Sequence, residues 1–169
     1  MDPKKLKSHD RYPLFADSAQ MSIVLIGHPR CGKSYFAERF ASSWKIPWVD
    51  TDRLLEEEYS IETGQRASCS EIFQKIGKIA FREREGGVIE RISPSIPVIA
   101  TGGGAVLEKK NVALLQKKGL LVFLVLPEEV WKERISFWGF PQSFSSQYSL
   151  EALYRERNQI YETVADVKI

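Results

Sequence analysis

The sequence predicts a single α/β domain built on a parallel β-sheet. Short apolar segments alternate along the chain with longer segments of helical periodicity, which favours parallel strands joined by right-handed helical crossovers. Two of the short segments, 22–26 and 120–126, are almost continuously apolar, as is typical of strands buried on both faces. The length of 169 residues suits one domain rather than two.

The composition excludes several broad classes of protein. Hydrophobic residues make up 43% of the chain and charged residues 27%, which is incompatible with wholesale disorder. A net charge of +2 gives no reason to expect a nucleic-acid or membrane partner, and no apolar run approaches the ~18 residues of a membrane span. Two cysteines, Cys31 and Cys69, form neither a disulfide framework nor a zinc site. Free thiols and the lack of a secretory-signal pattern predict a cytoplasmic location.

The first half of the chain follows a β-α-β-α order after a polar segment at 1–20, which we expect to be an N-terminal tail outside the domain at 21–169. The expected elements are a strand at 22–26, a helix at 33–44, a strand at 46–49 and an acidic helix at 51–59. A capping box from Ser68 to Glu71 then starts a helix that is predicted to run to about Ile92, with a break near Gly77. Its apolar residues at helical spacing are Ile72, Phe73, Ile76, Ile79 and Ala80.

The second half continues the alternation. The expected elements are a strand at 98–100, a helix at 111–118, a strand at 120–126, a helix at 128–135, a helix capped by Ser149 and a strand at 167–169. The segment 137–147 is aromatic, serine-rich and without periodicity, so it is predicted to be a loop.

Residues 27–34 match the pattern G-x-x-x-x-G-K-[ST] with the sequence GHPRCGKS. The match follows a predicted buried strand and opens a predicted helix, which is the context of a phosphate-binding loop (P-loop). Backbone N–H groups and the helix N-terminus attract phosphate, Lys33 bridges the β- and γ-phosphates, and the Ser34 hydroxyl can coordinate Mg²⁺. The sequence therefore predicts ATP and Mg²⁺ as cofactors. The residues of this region expected to contact ATP are Gly27, Arg30, Cys31, Gly32, Lys33, Ser34 and Tyr35.

Two carboxylates, Asp50 and Asp52, follow the second predicted strand. One of them could hold Mg²⁺ through water while the other faces an acceptor hydroxyl. Alternatively, this segment could be an ordinary helix N-cap, because Asp and Thr are favoured there. The residues alone leave both interpretations open. A GTPase is not favoured, since no base-reading N-K-x-D motif follows a later strand.

Five motifs in order give the chain a resemblance to the shikimate kinase family from Met21 to Ile169. They are the P-loop at 27–34, Asp50-Thr51-Asp52, Phe81-Arg82-x-x-Glu85, the glycine run 102–104, and Glu156-Arg157-Asn158-x-x-Tyr161 followed by Ala165-Asp166. The resemblance implies a P-loop kinase fold with five parallel strands in the order 2-3-1-4-5, flanked by helices, and a mobile lid at about 137–147. It also implies ATP-dependent phosphorylation of the 3-hydroxyl of shikimate, a step in chorismate and aromatic amino acid biosynthesis. The protein is expected to be a monomer.

The resemblance implies a role for each matching residue. Lys33 and Asp52 are the expected catalytic residues, and Asp52 would bind the shikimate hydroxyls and help to deprotonate one of them. Asp50 would hold Mg²⁺ through water together with Ser34, and Arg134 would lie against the adenine. The residues expected to bind shikimate are Asp52, Arg82, Glu85, Gly102, Gly103, Gly104 and Arg157.

Each shikimate-binding residue also has a purely structural interpretation. Arg82 and Arg157 stand among charged neighbours, where arginines commonly form a solvated helix face, and the glycine run could be a tight turn. A bidentate arginine nevertheless suits a carboxylate, which lysine cannot match. The alternatives at the level of function are a kinase for another small hydroxy acid, such as gluconate, and a non-catalytic relative that only senses its substrate.

The lid departs from the family pattern. Family members carry an arginine directly before a lid proline, whereas here Phe140 precedes Pro141, and 137–147 contains no Arg or Lys. Because such an arginine can contribute ~10³-fold to phosphoryl transfer, either catalysis is slow or another cation replaces it. Arg30 is the candidate within the P-loop, and an exposed loop charge is the alternative interpretation of this residue.

Overall fold

The computed structural model describes residues 21–139 and 149–169. The predicted tail at 1–20 lies outside the described residues, as do Phe140, Pro141 and the rest of the predicted lid up to residue 147. None of the helices in the described ranges is long and apolar enough to cross a membrane.

The centre of the domain is a parallel sheet of five strands in the order β2-β3-β1-β4-β5, as predicted. The strands are β1 at Ser22–Ile26, β2 at Trp48–Asp50, β3 at Val98–Ala100, β4 at Gly119–Phe123 and β5 at Val167–Lys168. Val24 in the middle of β1 pairs with Ile99 on one side and Leu121 on the other. Since all the strands are parallel, their carboxyl ends meet at one edge of the sheet, where ligands of open α/β folds bind.

Six α-helices surround the sheet within the described residues. They are α1 at Lys33–Trp44, α2 at Thr51–Thr63, α3 at Cys69–Arg91, α4 at Lys109–Lys118, α5 at Glu128–Trp138 and α6 at Leu150–Val164. The predicted capping box at the start of α3 is formed in both directions between Ser68 and Glu71. Ser149 caps α6 by accepting a hydrogen bond from the backbone N–H of Ala152, as predicted.

The apolar core lies on both faces of the sheet, and the central strand β1 contributes side chains to both. Val24, Leu25 and Ile26 are completely buried. Val24 and Ile26 belong to the apolar cluster on one face, and Leu25 belongs to the cluster on the other. Each fully buried side chain of this size contributes about 1.5–3 kcal/mol to folding. This rigid centre supports the two loops that leave β1 and β3 at the carboxyl edge.

Two sequence predictions about helices are wrong. Ile79 does not join the buried face of α3, since its side chain is 79% exposed. The reason is the predicted break at Gly77, which is confirmed: its φ of 78° and ψ of 169° interrupt the helix and change the phase of its apolar face. Phe137 and Trp138, predicted to belong to the lid loop, are the last two residues of α5. The helix continues through Phe137 and Trp138 and ends only at Gly139, whose φ of 81° is not helical.

Candidate active site

The P-loop connects β1 to α1 and depends on two glycines. Gly27 has a φ of 142°, and a Cβ atom there would lie 2.9 Å from the backbone oxygen of Leu124. Gly32, directly before α1, has a left-handed conformation with a φ of 108°. Side-chain-bearing residues adopt these conformations rarely. The backbone can therefore fold tightly at the N-terminus of α1, which is where a phosphate group would bind.

Lys33 is held inside the P-loop rather than at its surface. Its side chain is 6% exposed, and its Nζ atom donates hydrogen bonds to the backbone oxygens of Gly27 at 2.9 Å and His28 at 2.8 Å. The ammonium group thus lies among the backbone atoms that would surround a phosphate. It has three donors, so it is suited to anionic oxygens at this position.

Asp50 is both an N-cap and a partner of the P-loop, so the two interpretations of its sequence position are compatible. Its Oδ1 atom accepts hydrogen bonds from the backbone N–H groups of Asp52 and Arg53, which caps α2. Its Oδ2 atom accepts a hydrogen bond from the Ser34 hydroxyl at 2.5 Å. The carboxylate therefore ties the start of α2 to the start of α1.

Ser34 and Asp50 fit the chemistry of Mg²⁺. Both offer oxygen atoms, and Mg²⁺ typically binds one or two protein oxygens while keeping waters and phosphate oxygens as its other ligands. No group of three or more His, Cys, Asp and Glu residues that could hold a metal occurs within 21–139 and 149–169. A cation here would thus depend on ligands from a nucleotide and from water.

A cavity of about 1030 Å³ brings most of the predicted site residues together. Its lining includes Arg30, Gly32, Lys33, Ser34, Tyr35, Asp52, Arg82, Glu85, Gly102, Gly103, Gly104, Arg134 and Arg157. Three predicted residues, Gly27, Cys31 and Asp50, are buried behind this lining. The cavity thus runs from the P-loop to residues on α2, α3, α6 and the glycine run.

Asp52 faces the cavity from the first turn of α2 and packs against the glycine run. A Cβ atom at Gly102 would collide with the Asp52 carboxylate, and the backbone N–H of Gly102 donates to the Thr51 hydroxyl at 3.0 Å. Burial raises the pKa of Asp52 to about 7, and the neighbouring charges of Asp50 and Glu85 add to the increase. A carboxyl group with a pKa near neutrality is well matched to accepting a proton from a substrate.

Arg82 and Glu85 form an ion pair on the wall of the cavity. Arg82 Nη1 lies 2.7 Å from Glu85 Oε2, and Asn111 Nδ2 donates to the same oxygen at 3.0 Å. Burial raises the pKa of Glu85, and the charge of Arg82 opposes this increase. A Cβ atom at Gly104 would collide with the Arg82 guanidinium. Arg82 is therefore part of the cavity wall and not of a solvated helix face.

Arg157 approaches the glycine run from the other side. Its side chain belongs to α6, is 7% exposed, and donates from Nη1 to the backbone oxygen of Gly103 at 3.4 Å. Tyr161, one turn further along α6, donates its hydroxyl to the same oxygen at 2.5 Å. Burial lowers the pKa of Arg157. Two guanidinium groups, those of Arg82 and Arg157, thus flank one short stretch of backbone.

Arg134 contacts the P-loop backbone. Its Nη1 atom donates to the backbone oxygens of Arg30 at 3.0 Å and Cys31 at 3.1 Å. The Arg30 side chain is exposed, and its backbone has a φ of 64°. Contact between Arg134 and adenine stays a prediction, as does replacement of the lid arginine by Arg30.

His28 is a P-loop residue whose environment the sequence did not reveal. Its imidazole is completely buried and stacks on Tyr154, with the ring centroids 4.4 Å apart and the ring planes 4° apart. Trp131 and Tyr161 enclose it at 5.3 Å and 4.9 Å. Burial lowers the pKa of His28 to about 3, so the ring is neutral. This aromatic cluster, which supports the P-loop on α5 and α6, joins residues more than a hundred positions apart, and no local pattern indicates it.

Other cavity residues were also missed. Ser68, Cys69 and Glu71 at the start of α3 line it, although the capping box predicted only a helix start. Trp138 at the end of α5 lines it as well. In the sequence, only the aromatic content of 137–147 singles out Trp138.

The fold and this cavity define a class of protein. A P-loop at the carboxyl edge of a five-stranded parallel sheet opens into the same cavity as a carboxylate and two arginines. Such an arrangement is typical of a P-loop phosphotransferase acting on a small anionic molecule. The sequence model of the shikimate kinase family matches residues 29–169. The chain therefore belongs to the shikimate kinase family.

Individual relatives agree with this assignment. A shikimate kinase of Aromatoleum aromaticum is 32% identical over 87% of this chain and 83% of its own length. A shikimate kinase of Clostridium botulinum is 36% identical over 83% of this chain and 82% of its own length. Among solved structures, shikimate kinase from Aquifex aeolicus has a TM-score of 0.72 at 30% identity, covering 88% of this chain and 86% of its own. Shikimate kinase from Acinetobacter baumannii in complex with shikimate has a TM-score of 0.69 at 26% identity, covering 89% and 84%.

Proposed function

We propose that this protein transfers the γ-phosphoryl group of ATP to the 3-hydroxyl of shikimate, forming shikimate 3-phosphate for chorismate and aromatic amino acid biosynthesis. The observation that carries the proposal is the single cavity that joins the P-loop to Asp52, Arg82 and Arg157 in a chain of this family. The relative from Acinetobacter baumannii was solved in complex with shikimate, which supports the same acceptor here.

The acceptor side suits a small hydroxylated acid. Shikimate carries one carboxylate, for which Arg82 and Arg157 offer guanidinium groups on either side of the glycine run. Glu85 fixes Arg82 through an ion pair, so that the guanidinium is held in position before substrate binds. The carboxylate then replaces water around two partly desolvated cations, which favours an acid over a neutral alcohol.

Asp52 is the proposed proton acceptor. Its carboxylate lies in the same cavity as Lys33 and the two arginines, and its pKa is raised to about 7. The ionised form takes the proton of the attacking hydroxyl as the new P–O bond forms and the bond from the γ-phosphorus to the leaving oxygen of ADP breaks. Proton removal of this kind contributes about 10²–10⁴-fold to a rate.

The P-loop is the proposed source of charge stabilisation. Lys33 and the backbone N–H groups before α1 face the phosphate chain, where negative charge accumulates on the oxygens during transfer. Ser34, with Asp50 behind it, would hold Mg²⁺, which would neutralise part of the negative charge of the phosphate chain. We further propose that the enzyme acts in the cytoplasm as a monomer.

An ADP-release assay with three acceptor conditions tests the proposal. We expect rapid ADP formation with shikimate, and only a slow background with gluconate or with no acceptor. The matched pair Arg82→Lys and Arg84→Lys adds a structural control, because Arg84 lies on the same helix but pairs with Glu62 outside the cavity. ADP formation that is equal in all three conditions, or faster with gluconate, would contradict the proposed acceptor.

A further inference from the structure

We propose that Tyr35 and Trp138 bind the base of the nucleotide by stacking. This inference rests on the proposed function, because it takes the P-loop as the site of the phosphates. Both residues line the cavity of the P-loop, although they come from different elements, α1 and the end of α5. Tyr35 is one of the residues that the sequence predicts to contact ATP, and neither residue is assigned to the acceptor or to the proton transfer.

The two side chains are largely open to solvent although they line the cavity. Tyr35 is 69% exposed and Trp138 is 58% exposed. Their sequence neighbours Phe36 and Phe137 are also exposed, at 36% and 82%, but they do not line this cavity. Aromatic surface at a cavity rim is available to a planar ligand in a way that buried rings such as Trp131 are not.

The direction of transfer determines where the base must lie. The γ-phosphate has to face Asp52 for an in-line reaction, so the α-phosphate and the nucleoside extend away from the acceptor side. Tyr35 directly follows Ser34 in the first turn of α1. Trp138 is one helical turn beyond Arg134, whose guanidinium is bonded to the backbone of the P-loop. Both aromatic residues therefore lie next to the P-loop on elements that carry none of the acceptor residues.

Stacking is the interaction that these side chains can offer. Indole and phenol rings present a flat apolar face to a base, and an aromatic side chain contributes about 5- to 150-fold to base affinity. Arg134 lies on the same face of α5 as Trp138, four residues earlier, so a guanidinium plane continues the surface. The result is a binding surface for the base that needs no hydrogen bond to its edge.

Titration with ADP and with inorganic tripolyphosphate, both with Mg²⁺ and without acceptor, separates base binding from phosphate binding. Trp138→Leu and Tyr35→Leu should each weaken ADP binding about tenfold and leave tripolyphosphate binding unchanged. Trp138→Phe, which keeps an aromatic face, should retain most of the ADP affinity. Phe137→Leu and Phe36→Leu are the matched controls and should bind both ligands as the wild type does.

Two results would overturn the inference. ADP affinity could be unchanged in both leucine variants, or tripolyphosphate affinity could fall as much as ADP affinity. Failure of the wild-type chain to bind either ligand would instead overturn the proposed nucleotide site, and the inference with it. Turnover gives an independent check, since Trp138→Leu should raise the KM for ATP with little change in kcat or in the KM for shikimate.

Discussion

The nucleotide side and the acceptor side of the cavity are built in different ways. The part of the nucleotide side that would bind phosphate is one continuous segment, 27–34, in which Lys33 donates hydrogen bonds to the backbone oxygens of Gly27 and His28. The acceptor side combines Asp52 from α2, Arg82 from α3 and Arg157 from α6 around the glycine run. The first depends on local backbone geometry, whereas the second depends on how the whole domain is packed.

The two sides also differ in their electrostatics. On the acceptor side, burial raises the pKa of Asp52 to about 7, raises the pKa of Glu85 and lowers the pKa of Arg157. Burial therefore disfavours the charged form of each of these three groups. A hydroxylated acid would bring a carboxylate to the arginines and hydroxyl groups to Asp52, so its binding would offset part of the cost of burying these groups. Substitutions on the two sides should consequently have different effects.

The largest effect is expected from Lys33→Met on the nucleotide side. Because Lys33 is buried, methionine preserves the side-chain stem while removing the charge that faces the phosphates. Turnover should fall by about 10³-fold or more at saturating shikimate. Steady-state kinetics measures this loss, and Lys117→Ala at an exposed position of α4 serves as the control. Activity close to the wild-type level would remove Lys33 from the mechanism.

Asp52→Asn should lower kcat by about 10²-fold and increase stability. The raised pKa of Asp52 means that its contribution to stability is present at low pH and is lost as the pH rises through about 7. Asparagine stays neutral, so the variant should melt a few degrees above the wild type at pH 8 and show a smaller difference at pH 5.

The matched control for this experiment is Glu57→Gln, which lies on the exposed face of the same helix. It should change neither the rate nor the difference in melting temperature between the two pH values. An Asp52→Asn variant that is active but less stable at pH 8 would show that the carboxylate is structural.

Arg82→Lys should act mainly on acceptor binding. Lysine keeps the positive charge but loses the planar fork that matches a carboxylate, and it weakens the pairing with Glu85. We expect the KM for shikimate to rise about tenfold while the KM for ATP changes little. Equal changes in both constants would mean that Arg82 supports the fold of the cavity as a whole.

His28→Phe should have the smallest effect on turnover and should reveal the buried imidazole of the P-loop. The folded-state pKa of about 3 is below the unfolded value of 6.5, so stability is full above pH 6.5 and decreases as the pH falls towards 3. This loss is about 1.4 kcal/mol per pH unit in that range. Phenylalanine cannot be protonated, so the variant should lose less stability on acidification.

Urea unfolding at pH 7 and pH 5 measures this difference. His9→Phe is the control, because His9 is the other histidine in the chain. If His28→Phe and the wild type lose stability in parallel, the imidazole is not held neutral by burial.

The sequence predicted the nucleotide side better than the acceptor side for a physical reason. The P-loop is eight consecutive residues whose local geometry is specified by Gly27, Gly32 and the helix that follows. Arg82 and Arg157 are 75 positions apart and each is compatible with a solvated helix face, so only the family resemblance assigned them to one site. The packing of α3 and α6 brings Arg82 and Arg157 to the glycine run, and the residues around each arginine do not indicate this packing.

The predictions that failed show the same difference between local sequence patterns and the structure of the folded chain. The break near Gly77 is confirmed, but the apolar spacing that included Ile79 continued across it unchanged, whereas the backbone at Gly77 changes the phase of the turns that follow. The aromatic, serine-rich composition of 137–147 predicts a loop for Trp138, whereas the helix continues through Trp138 and ends at Gly139. The cluster around His28 depends entirely on contacts between distant segments, and for that reason it could not be predicted.

Identification of the reaction product tests the central claim most directly. The wild-type chain is incubated with ATP, Mg²⁺ and shikimate, and phosphorus and proton NMR determine which oxygen carries the new phosphate. We expect one phosphate monoester, at the 3-hydroxyl, in an amount equal to the ADP formed, and about 10³-fold less of it in the same time with the Lys33→Met variant. ADP formed without a phosphate ester, or a phosphate on another hydroxyl, would contradict the account.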